Sequence, residues 1–181
     1  MKILLVLPIL LSFILFGCSS AIPNRDVTGE TFPSVKGKSL AGKEFSVPED
    51  FKGKMVIIVL GYVQKTQFDI DRWGIGFFTS DLDLPPVYEL PTISGLIPTL
   101  ISGTIDDGMR DGIPEESWKD VITIYGGDGS KIKEWTGTTN PNNGRIILLD
   151  ENGKVLWFYD RGYGLPPLQE LLNKIKEHRK K

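Results

Sequence analysis

The sequence predicts an α/β fold in which a mixed central sheet carries helices on its faces and a β-hairpin on its N-terminal side. Three stretches carry that prediction. Met55–Leu60 (MVIIVL) is an uninterrupted apolar and β-branched run, the pattern of a strand covered on both faces. Arg145–Leu149 (RIILL) and Lys154–Tyr159 (KVLWFY) flank Asp150-Glu151-Asn152-Gly153, a turn sequence that makes the two runs an antiparallel pair. The chain then closes on LPPLQELLNKIKEHRKK, where Leu168, Leu171, Leu172 and Ile175 form one helical stripe. Pro166 and Pro167 sit at its start, and cations fill the last turn, as the helix dipole favours.

Along the chain, MKILLVLPILLSFILFGCSS has the layout of a secretory signal: one lysine, an apolar run from Ile3 to Phe16, then small residues. That run is shorter than the roughly 20 apolar residues that span a bilayer, so it reads as removable. Ser19–Gly29 is polar and proline-broken and reads as a tether. In FPSVKGKSLAGKEFSVPEDFKGK, short apolar alternations at Val35, Leu40 and Phe45 between glycines signal a hairpin. After the MVIIVL strand, GYVQKTQFDIDRW leads through a turn into a helix from about Thr66 to Phe78, with Phe68, Arg72, Ile75 and Phe78 near one stripe, and Thr66 and Asp69 have the spacing of a capping box.

Leu84–Ile93 (LPPVYELPTI) reads either as a docking surface for an extended peptide or as a crossover loop stiffened by prolines. Leu96, Ile97, Leu100, Ile101, Ile105 and Met109 recur at helical spacing behind Ser94, which predicts a second helix capped by Ser94 and packed by one face. Val121–Tyr125 (VITIY) reads as a strand, and the Gly- and Asn-rich stretch after it as a loop. The element order is hairpin, strand, helix, strand, helix, strand, hairpin, helix.

The formal net charge of -2 gives no electrostatic basis for a nucleic-acid partner. Cys18 is the only cysteine and His178 the only histidine, which leaves no zinc spacing and no second thiol for a disulfide. Four tryptophans, nine phenylalanines and five tyrosines supply a core that needs no disulfide. The acidic groupings Asp69 with Asp71, Asp81 with Asp83, and Asp106, Asp107 and Asp111 fit no calcium-loop pattern and read as turns and caps. Thr66 has no base beside it in sequence and reads as a helix start rather than a nucleophile. Lys65 could hold an anion at the helix N-terminus or be a surface lysine.

Two resemblances extend this reading. Leu15-Phe16-Gly17-Cys18 resembles the bacterial lipoprotein cleavage box. It implies a signal peptide over residues 1–17, acylation of Cys18 (including palmitate), a lipidated tether over 18–29 and a domain over 30–181. Ser19 then implies the periplasmic side of the outer membrane if the source is a diderm bacterium; ordinary signal cleavage is the alternative. FPSVKGKSLAGKEFSVPEDFKGKMVIIVLGY and RIILLDENGKVLWFYDRG resemble the opening segment and closing hairpin of thioredoxin-like proteins, in the peroxiredoxin and thiol-oxidoreductase branch. That resemblance implies a thioredoxin-like three-layer sandwich. The family places Cys-x-x-Cys where this chain has Thr66 and Asp69, with Tyr62 at the aromatic position, and a cis-proline where this chain has Asn142-Asn143-Gly144. A looser likeness, through the opening segment, Trp73 and a helix after Tyr88-Glu89-Leu90, links the chain to assembly factors of the mitochondrial ATP synthase.

With sulfur spent at Cys18, the expectation is a membrane-anchored, redox-inactive binding or assembly module of the cell envelope. It needs no cofactor, and it holds an envelope protein through Tyr62, Lys65, Thr66, Asp69 and Tyr88. The alternative is a cysteine-independent hydrolase or isomerase working through carboxylates or a tyrosine, for which Asp69 or Asp71 must share a pocket with Tyr62. A lipoprotein with a purely structural role is the third reading.

Overall fold

The computed structural model describes residues 21–180. The expected signal peptide and the expected acylation site Cys18 lie outside the described residues. Within them no helix is long and apolar enough to cross a membrane.

The hairpin consists of β1 (Val35–Ser39) and β2 (Glu44–Val47). Its turn uses Gly42 at φ +91, a conformation L-residues rarely adopt. Next come β3 (Val56–Gly61), α1 (Gln67–Phe78), β4 (Val87–Ile93), α2 (Leu96–Leu100), α3 (Ser102–Gly112), β5 (Ile122–Tyr125) and α4 (Gly126–Thr136). The chain ends with β6 (Arg145–Leu149), β7 (Val155–Tyr159) and α5 (Leu165–Arg179). The seven strands form one sheet in the order β2-β1-β5-β4-β3-β6-β7. β3 runs parallel to β4 and antiparallel to β6, so the sheet is mixed as expected.

Alternation along β3 divides the core into two. Val56, Ile58 and Leu60 face Phe32, Leu90, Ile124 and Ile132 on one side of the sheet. Ile57 and Val59 face Ile70, Trp73, Leu168, Leu171 and Ile175 on the other. Both faces are sealed, which is why MVIIVL carries no polar residue. Trp73 is fully buried on α1, and its ring meets those of Phe77, Trp157, Tyr159 and Tyr163.

Several expectations are corrected. Leu84–Ile93 is neither a loop nor a free docking segment: its second half is β4, a central strand in which Leu90, Pro91 and Thr92 are buried. The Glu89 N–H donates to Asp120 O of the neighbouring chain segment, and by alternation the N–H that Pro91 lacks would have pointed the same way, so proline removes one bond there. The Gly- and Asn-rich loop after β5 holds a helix, α4. It packs despite its glycines because Ile132 and Thr136 are buried and because a Cβ on Gly129 would lie 2.6 Å from Ile93 O. The single packed helix behind Ser94 is two helices broken at Ile101. Its cap is Gly95, and neither helix buries a residue. Leu96, Ile97 and Leu100 are 71–75% exposed.

A further correction concerns Thr66 and Asp69, which form no capping box. Thr66 is already helical, and its side chain makes no cap bond to α1 but accepts from Val63 N before it. The segment expected as a tether is also held from Ile22 onward. Ile22 exchanges bonds with Thr138, Arg25 N donates to Thr136 O, and Val27 is fully buried.

Candidate functional site

The strand-to-helix corner after β3 is built by buried polar contacts. The Thr66 hydroxyl donates to Pro141 O at 2.8 Å and accepts from Val63 N at 3.3 Å. The Asp69 carboxylate, also buried, accepts from Gly144 N at 2.8 Å and Tyr163 N at 2.7 Å, so it fastens α1 to two distant loops. The two positions that the resemblance equates with cysteines therefore face the loop that it equates with the cis-proline loop. Pro141 itself is trans, and Val47–Pro48 is the cis bond among the described residues.

Tyr62 lies beneath this corner. Its hydroxyl is hydrogen-bonded to that of Thr136, and burial pushes its pKa up to about 12. The Arg145 guanidinium lies 4.5 Å from the Tyr62 ring centre. Fully buried, it donates to Asn143 O at 2.7 Å, Thr139 O at 2.8 Å and Asn140 O at 3.2 Å, gathering the 139–143 loop around one cation. Desolvation lowers its pKa, against the raising influence of Tyr62 and Asp160. Lys133 Nζ sits 5.5 Å from the same ring centre and donates to Ser94 Oγ. The one histidine, His178, pairs with Glu151 at 2.8 Å and takes no part in the corner.

Beside the corner is a cavity of about 970 Å³ between α1, the C-terminal half of β4 and α3. It exists because α3 stands off the sheet without burying a residue. Ile70, Pro91, Ile105 and Met109 give it apolar walls, Asp71 and Glu89 line it, and Lys65 and Phe68 lie at its α1 end. Phe68 is 70% exposed. Glu89 stands level with Val59 of β3, a sheet position where a closed core would hold an aliphatic residue. Its pKa is raised to about 7, first by desolvation and then by the charge of Asp71, which itself accepts from Gln67 Nε2.

Of the expected site residues, Tyr62, Lys65 and Thr66 line this cavity. Asp69 is turned toward the loops, and Tyr88 is on the opposite face of β4, stacked on Phe51 at 4.4 Å between ring centres. Glu89 and Arg145 were missed by sequence reasoning. Each had a signal, a single charge inside an apolar strand: VYELPTI and RIILL. Among the described residues no group of acidic, histidine or cysteine side chains could hold a metal ion.

No family profile and no curated protein matches the sequence. Solved structures do match the fold. BsSco, a member of the Sco family of cytochrome c oxidase assembly proteins, aligns with a TM-score of 0.54 at 14% identity over 84% of this chain and 95% of its own. Yeast Sco1 aligns with a TM-score of 0.58 at 14% identity, over 81% and 95%. The exposed lipoprotein thioredoxin Etrx1 of Streptococcus pneumoniae aligns with a TM-score of 0.51 at 14% identity, over 80% and 99%. At these identities the likeness is one of fold, and the fold is thioredoxin-like.

Proposed function

We propose that the chain is a membrane-anchored, redox-inactive thioredoxin-like module that holds a partner protein of the cell envelope at its former redox face. The carrying observation is that the corner after β3 is intact in shape but offers no nucleophile. Thr66 and Asp69 are consumed by backbone hydrogen bonds, and the space beside them is an open, largely apolar cavity. Phe68 at the α1 end of the cavity, and Leu96, Ile97 and Leu100 on α2, are exposed apolar side chains of the kind a docking surface presents. An assembly role for a protein of this fold has a precedent in BsSco, and lipid anchoring has one in Etrx1.

Acylation at Cys18 fits the geometry. Only Ser19, Ser20 and Ala21 separate it from Ile22, which is bonded to Thr138 next to the site loop, so the backbone reach is at most about 14 Å. The site edge would face the bilayer and any partner embedded in it.

Pull-down from solubilised envelopes tests this reading. Lys65→Ala with Phe68→Ala lowers recovery of a specific partner at least tenfold, while insulin reduction and peroxide consumption stay at background. Undiminished recovery, or measurable thiol turnover, contradicts it. One observation favours a second reading, a cysteine-independent hydrolase or isomerase. Glu89 has the titration of a general acid, and it shares the cavity with Tyr62. That reading requires turnover abolished by Glu89→Gln.

A further inference from the structure

We propose that the cavity beneath α3 receives a lysine or arginine side chain of the partner protein, with the Glu89 carboxylate as its counter-ion. This rests on the partner-binding reading above and specifies the chemistry of the partner's contact.

Charge complementarity carries the argument. Glu89 projects from the middle of a central strand into a space with apolar walls. Among the described residues its carboxyl is influenced by burial and by Asp71, and no hydrogen bond contributes. A carboxylate so placed is costly unless a cation joins it.

The surrounding elements do not supply that cation. α1 contributes Asp71, a second carboxylate, and Lys65 before it does not figure among the influences on Glu89. α3 turns Thr104, Ile105, Gly108 and Met109 to the cavity. Its charged residues are engaged or exposed: Asp106 accepts from the Tyr125 hydroxyl, Asp107 pairs with Arg110, Arg110 Nε donates to Leu40 O, and Asp111 faces solvent. On the other side, Glu89 is bridged to Val121, which carries no charge.

The cavity thus combines net negative charge at the sheet with an aliphatic lining suited to the stem of a long basic side chain, whose methylenes pack while the head is paired. Its volume leaves room for an apolar neighbour of that side chain, and exposed Phe68 lies at its α1 end. An anionic partner would meet two carboxylates.

The first test is calorimetric titration of the full-length protein with n-pentylammonium, n-pentanol and pentanoate at pH 5 and pH 8. Pentylammonium is charged at both values, so any pH dependence reports the protein. With Glu89 titrating near 7, pentylammonium is expected to bind roughly two orders of magnitude more tightly at pH 8 than at pH 5. Pentanol should bind weakly and equally at both, and pentanoate should not bind at pH 8, where it is fully ionised. Glu89→Gln should remove the pH dependence while leaving the circular dichroism spectrum unchanged. Equal binding of the amine and the alcohol, or a pH dependence that survives Glu89→Gln, overturns the proposal.

The second arm is the envelope pull-down with Glu89→Gln. Loss of the partner supports its basic side chain as the occupant. Retention of the partner in Glu89→Gln, when Lys65→Ala with Phe68→Ala loses it, overturns the proposal but leaves the binding reading standing. Retention in both refutes the two together.

Discussion

At the scale of single residues, the corner after β3 is held by charges spent on backbone atoms. Asp69 and Arg145 are both buried, yet neither faces the other. Asp69 accepts two N–H groups, and Arg145 donates to the carbonyls of the loop that Asp69 also touches. Removing the Asp69 carboxylate leaves two buried donors without acceptors, at about 1–3 kcal/mol each. Asp69→Ala is therefore expected to lower stability by about 2–4 kcal/mol in urea denaturation, and Asp69→Asn, which keeps one acceptor, by less. Equal and negligible losses would show that the carboxylate is not structural. The spacing of Asp69 to Thr66 suggested a capping box that the structure does not form, and its actual partners were not legible. Gly144 and Tyr163 lie 75 and 94 residues away, and no local pattern announces a contact at that range.

At the scale of elements, β4 carries the conflict between stability and binding. Glu89 titrates higher in the folded chain than its ordinary 4.5, so the fold binds its proton more tightly than the unfolded chain does. Its contribution is most favourable below about pH 4.5, declines as pH rises toward 7 and is a full penalty above that. At about 1.4 kcal/mol per unit, the penalty is on the order of 3 kcal/mol. Glu89→Gln should accordingly raise stability by up to that amount at pH 8 and leave it nearly unchanged at pH 4. A variant less stable than the parent at pH 8 would mean that Glu89 has a stabilising partner.

The helices over β4 behave differently. Because Leu96 and Leu100 are about three-quarters exposed, Leu96→Ser with Leu100→Ser should cost within about 0.5 kcal/mol each while reducing partner recovery several-fold. A large stability loss would mean that α2 packs rather than docks.

What the sequence showed of these elements follows from where their stabilisation lies. β3, the β6–β7 hairpin and α5 have the periodicity of faces that pack, and they were legible. α1 was legible as a helix but not by its packing face: the expected stripe of Phe68, Ile75 and Phe78 is exposed, and Ile70 and Trp73 are the apolar residues that α1 buries. A strand between the first two helices was expected in the element order, but its place in LPPVYELPTI was obscured by Glu89 and Pro91, and α4 was hidden by glycines whose cost tertiary packing offsets. The α2–α3 region misled in the other sense, since its helical stripe is apolar but meets no partner within this chain.

At the scale of the whole molecule, the thioredoxin-like sheet sets the corner and the cavity beside it, and Ile22 joins the domain at Thr138, at the edge of the 139–143 loop that packs on the corner. Acylation at Cys18 would hold that edge against a bilayer, so Cys18→Ser is expected to move the protein from the membrane to the soluble fraction without altering its thermal unfolding. Retention on the membrane would place the anchor elsewhere. The central claim is that this edge, and not the molecule at large, meets the partner.

Site-specific photo-crosslinking in intact cells tests that claim most directly, with the probe at Phe68 beside the cavity or at Phe78, which is 91% exposed at the other end of α1, about 15 Å away. The expected result is a single discrete adduct from position 68 that is lost in Glu89→Gln, and none from position 78. Adducts of equal yield from both positions, or from 78 alone, would contradict the account.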